Sequence, residues 1–112
     1  MTLRHLISGL TCTIPLLLAL PAAAAPDEAA AMKLLEDSKC IKCHSVDKKK
    51  DGPSFKETAA KYKGKADAEA KLTKHVTVPS KVKIDGAEED HGSVKTRDDA
   101  KVKNLVTWIL SR

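Results

Sequence analysis

Cys40 and Cys43, separated by two residues and followed at once by His44, constrain this chain more than any other feature. Two thiols on one short segment can form thioethers to the two vinyl groups of a haem. The histidine beside them can coordinate the iron from one face. The spacing therefore predicts one covalently attached haem c on Cys40 and Cys43, with His44 as an iron ligand. Two other chemistries use the same residue types. A reducible Cys40–Cys43 disulfide of the thioredoxin kind calls for a surrounding βαβ pattern, which cannot be constructed here. Zinc on Cys40, Cys43, His75 and His91 would have suitable donors, but their spacings are unlike those of compact fingers. Composition supports the haem. Phe55, Tyr62 and Trp108 are the only aromatic residues, and so small a domain has little apolar volume to bury. A porphyrin would supply that volume, whereas a disulfide closing so short a loop would stabilise little.

The N-terminus reads as a leader rather than as folded protein. Arg4 and His5 give a polar start, residues 6–20 are mostly apolar, and residues 21–25 are small apart from Pro21. This pattern predicts a cleavable signal peptide over 1–25, cut after Ala24 or Ala25, and a periplasmic location. The apolar run is shorter than the roughly 20 residues of a membrane span and is interrupted by Thr11, Thr13 and Pro15. Cys12, inside that run, would be lost with it. Residues 26–112 then form a single domain. The chain carries 20 Lys or Arg against 15 Asp or Glu, a balance that favours acidic partners without identifying them. No basic stripe with interleaved aromatics is present, which argues against nucleic acid.

Helix signals divide the mature part. Asp27 is placed to cap a first helix running to about Ser38, ending at the cysteine motif. Ser54 and Glu57 fit a capping box for a helix over Phe55–Tyr62, with Gly64 as its stop. Asp67 is placed to cap a third helix reaching His75 or Val76. Residues 79–95 read as irregular, because Pro79 weakens a strand over Val78, Val82 and Ile84. Thr96 and Asp99 suggest the cap of a final helix to about Leu110. Along it Val102, Leu105, Val106 and Ile109 recur with helical period, with Trp108 at the edge of the stripe.

From about Asp27 to Arg112 the chain resembles a bacterial class I cytochrome c, particularly the small cytochrome c-551 family. The resemblance is carried by the first helix ending in Cys40-Ile41-Lys42-Cys43-His44, and by Gly52-Pro53 and Tyr62-Lys63-Gly64-Lys65. The closing segment from Leu105 to Leu110 completes it. It implies an all-α class I cytochrome c fold enclosing one haem, with crossed N- and C-terminal helices. It also places the Pro53 carbonyl where it would receive the His44 ring N–H and orient that ligand. Met32 and Trp108 are counted with Pro53 among the residues at the cofactor, beside their roles in packing. One feature departs from the family. The usual axial methionine between the third and last helices is absent, and Met32, before the cysteine motif, is the only methionine outside the leader. His91 stands at about the position of the missing ligand, with Gly92 beside it to ease the approach. It is the expected sixth ligand, with His75 as the alternative. An exposed loop histidine or an open site are the remaining readings.

The resemblance implies an electron carrier rather than an enzyme, serving exported or membrane-bound redox proteins. Lys42, Lys48, Lys49, Lys50 and Lys56 are candidates for docking acidic surfaces. Replacing methionine by imidazole should lower the potential. The alternatives are a haem-bearing electron-transfer subunit of an exported oxidoreductase complex and, behind it, a gas-binding or sensing protein.

Overall fold

The computed structural model describes residues 19–20 and 24–112. The expected leader, including Cys12, lies almost wholly outside them. No helix among the described residues is long and apolar enough to cross a membrane. Among the described residues there are four α-helices: α1 (Glu28–Asp37), α2 (Phe55–Tyr62), α3 (Ala68–Thr77) and α4 (Asp99–Leu110). A hairpin of β1 (Ser80–Ile84) and β2 (Ala87–His91) is inserted between α3 and α4.

Local chemistry accounts for most of the boundaries. Asp27 accepts the Ala30 amide at the start of α1. At the other end Lys39 adopts a left-handed φ of 62°, turning the chain into a single 3₁₀ turn over Cys40–Lys42. The capping box of α2 is complete, with Ser54 Oγ accepting the Glu57 amide and the Glu57 carboxylate accepting the Ser54 amide. Two expected caps are corrected. Asp67 makes no cap bond, because its carboxylate is drawn to Lys71 one turn on, at 2.7 Å. The cap of α4 is Asp98, whose carboxylate accepts from Ala100 and Lys101; Thr96 Oγ1 supports it by accepting the Asp98 amide. Asp98→Ala is expected to cost about 1 kcal/mol, read as a lower denaturant midpoint at unchanged slope.

The hairpin is the main departure from the sequence reading. Pro79 lies just before β1, so it removes no donor from the ladder. Asp85 and Gly86 both take positive φ, 50° and 83°, as a two-residue hairpin loop requires. Pairing runs from Ile84↔Ala87 at the tip to Ser80↔His91 at the base.

Helix α4 organises the core and packs against α1, α2 and α3. Val102, Leu105, Val106 and Ile109 are buried as the periodicity predicts. Trp108, expected at the edge, has no exposure at all. Three neighbours around one helix bury more than a single stripe. The start of α1 is tied to α4 by two bonds: Asn104 accepts from the Asp27 amide and donates to the Asp27 carbonyl.

Candidate haem site

The helical body and the hairpin enclose a cavity of about 640 Å³, well within the range of cofactor sites. Cys40, Cys43 and His44 line it, with Leu35, Phe55, Leu72, Leu105 and Ile109 supplying apolar wall. His75 and His91 line it too, and from the hairpin so do Val82 and Ile84.

The cysteine motif is held by its own backbone. Cys43 and His44 amides both donate to the Cys40 carbonyl, so the two sulfurs and the imidazole share one tight turn. Burial, with a smaller contribution from Cys43, pushes the Cys40 thiol up from its ordinary value. The His44 ring is fixed on several sides. Its Nδ1 lies 2.7 Å from the Pro53 carbonyl, a bond that leaves Nε2 free to bind iron and raises its basicity. The Phe55 ring stacks at 5.7 Å. Gly52 backs the ring so closely that a Cβ there would stand 2.5 Å from His44 Cε1.

His91 comes from the end of β2. Its ring centroid lies 6.2 Å from that of His44, with planes inclined at 75°. Two imidazoles sharing one metal at about 2 Å per bond have centroids roughly 6 Å apart, so the pair fits an iron held between them. The His75 ring sits 4.3 Å from that of His91. Burial lowers the pKa of both, reinforced for His75 chiefly by His91 and for His91 by His44. Both are therefore biased toward neutral imidazole, the form with a lone pair for metal. The zinc reading fails on geometry, because no group of three or more His, Cys, Asp or Glu converges on a point among the described residues.

Other expected site residues fall elsewhere. Met32 and Trp108 do not line the cavity. Met32 packs against the core, and Trp108 stands behind Phe55, edge to face at 5.5 Å. Gly92 does not take a positive φ; the hairpin uses that freedom at Gly86. Of the candidate docking lysines, Lys50 donates to the Ile41 carbonyl and Lys56 pairs with Asp47, while Lys49 stands at the cavity wall. Sequence reasoning missed the stacking of Phe55, the backing by Gly52 and the wall formed by Val82 and Ile84. Only the last had a readable signal, the Asp85-Gly86 turn beside alternating apolar residues.

A porphyrin joined to Cys40 and Cys43 would fill this cavity and supply the apolar body that three aromatic residues cannot, which makes the molecule a small c-type cytochrome. The chain belongs to the cytochrome c family, whose model matches residues 28–112. It is similar to cytochrome c-551 of Pseudomonas aeruginosa, with 30% identity over 70% of this chain and 73% of the relative. With cytochrome c-551 of Allochromatium vinosum it shares 37% identity over 77% of this chain and 89% of the relative. Among solved structures, the class 1 cytochrome MtoD from Sideroxydans lithotrophicus ES-1 superposes with a TM-score of 0.73 at 54% identity, covering 78% of this chain and 97% of MtoD. Cytochrome c552 of Nitrosomonas europaea gives a TM-score of 0.57 at 32% identity, covering 71% and 96%. The chain is thus a haem-binding electron-transfer protein of the cytochrome c-551 group, with the haem c attachment motif at Cys40, Cys43 and His44. Proteins of this class are electron carriers, not enzymes.

Proposed function

We propose that this protein is an exported, diffusible one-electron carrier of the periplasm, ligated by His44 and His91 and poised at a lower potential than its methionine-ligated relatives. Residues 1–25 are removed on export, leaving 26–112 as the working domain. The observation that carries the reading is the 6.2 Å separation of the two rings, at a position where the sequence offers no methionine. Bound haem supplies a reversible ferrous–ferric couple. The chain's own part is to hold two imidazoles in place, keep one oriented through Pro53, and surround the group with apolar side chains. Imidazole in place of a thioether sulfur lowers the potential. Lys49, Lys61 and Lys83 at the cavity wall add positive charge where an acidic redox partner would approach.

Spectroscopy of the purified holoprotein tests the ligation. The wild type is expected to be low-spin and to lack the weak sulfur-to-iron band of methionine ligation. His91→Ala should turn high-spin and bind carbon monoxide without displacing a ligand, whereas His75→Ala stays low-spin. His91→Met, if the sulfur binds, should raise the reduction potential. An unchanged spectrum in H91A would sink the assignment. N-terminal sequencing of the periplasmic form checks the leader.

A further inference from the structure

The two histidines that face each other across the cavity are held by different means. His44 has the usual device for orienting a metal-binding imidazole, a hydrogen bond from its second ring nitrogen, here to the Pro53 carbonyl. His91 has no such bond at full geometry. Its enclosed Nδ1 meets no partner within hydrogen-bond geometry, and Gly92, the next residue in the chain, supplies the only backbone group interacting with the ring. The strand that carries it offers little help, because among the described residues no hydrogen bond or ion pair joins residues 80–91 to the helices. The nearest backbone tie is from the Val94 amide to the Val76 carbonyl, at 2.8 Å. What does touch the ring is His75, on the last turns of α3, at 4.3 Å with a tilt of 37°.

We propose that His75 is a positioning residue whose ring, packed against that of His91, does the orienting that a well-formed hydrogen bond does for His44 and sets the plane of His91 across that of His44. The proposal rests on His44–His91 ligation and goes beyond it, since ligation alone does not specify a ring plane. The 75° angle between the two planes is the quantity that His75 controls. His75 lines the cavity and is not part of the buried core cluster, so replacing it leaves the core intact.

The test is electron paramagnetic resonance of the ferric holoprotein. Axial imidazoles with crossed planes give a single strongly anisotropic low-field feature, whereas near-parallel planes give a three-line rhombic spectrum. The wild type is expected to show the first. His75→Ala should shift the feature to higher field or split it into a mixture, with the optical spectrum still low-spin and the thermal midpoint unchanged. His75→Phe, which keeps a flat ring but no nitrogen, should restore the wild-type signal. The proposal is overturned, with the ligation intact, if H75A keeps the wild-type resonance, or if H75F behaves as H75A. A high-spin H75A also overturns it, by making His75 itself the ligand. Failure of the ligation reading shows separately, as an H91A protein with the wild-type optical spectrum.

Discussion

Trp108→Ala is expected to lose about 3–5 kcal/mol, a large share of the roughly 5–15 kcal/mol that holds a whole domain folded. The side chain is the largest of those fully buried. It meets Phe55 edge to face, and the Arg112 guanidinium lies 4.6 Å from its ring centre. No small neighbour can close the gap, because α4 is already packed by three helices. The loss should appear as a collapse of the denaturant midpoint and a fall in the yield of haem-loaded protein. The indole nitrogen offers an internal comparison. It is buried without a partner, so Trp108 is held there by its shape rather than by a bond. Trp108→Phe removes that orphan donor along with some volume, and it should unfold cooperatively at a midpoint much closer to wild type. An alanine variant as stable as the phenylalanine one would show that Trp108 does not anchor the core.

Gly52→Ala should do its damage at the site. Its backbone is not in the left-handed region, so alanine brings no conformational strain. The conflict is with one side chain: the new Cβ would lie 2.5, 2.8 and 3.0 Å from Cε1, Nδ1 and Nε2 of His44. The ring cannot retreat without loosening its contact with Phe55 or its bond to Pro53. Overpacking of this kind costs about 1–3 kcal/mol. Here it should also move the reduction potential and the His44 proton resonances. Gly92→Ala is the control, since nothing lies within 4 Å of a Cβ there, and a change within about 0.5 kcal/mol is expected. If both variants match wild type in potential, the close backing of His44 has no functional weight.

How much of this was readable in the sequence depended on the range of the interaction. Cys40, Cys43 and His44 are neighbours in the chain, so their spacing carries their chemistry. The Ser54–Glu57 box and the apolar period of α4 are equally local. Asp67 failed as a cap because Lys71, one turn away, competes for its carboxylate. Trp108 was misplaced because periodicity describes one face, while the number of helices around α4 is a tertiary fact. The hairpin went unread because Pro79 weighed against a strand, although the proline falls outside it and Asp85-Gly86 marks the turn. The approach of Gly52 to His44, and of His75 to His91, arises only when distant segments meet. No pattern in either segment announces it.

The hairpin also has a consequence for how such proteins can vary. The chain leaves α3 at Thr77 and returns beside it, where Val94 bonds back to Val76. The ends of the intervening segment are thus clasped together, and the four helices complete their core with little help from what lies between. His91, the proposed distal ligand, rides on an insert outside the helical core. A change in the length or donor atom of that insert is expected to leave the helical packing in place, so that redox character and folding stability could vary separately.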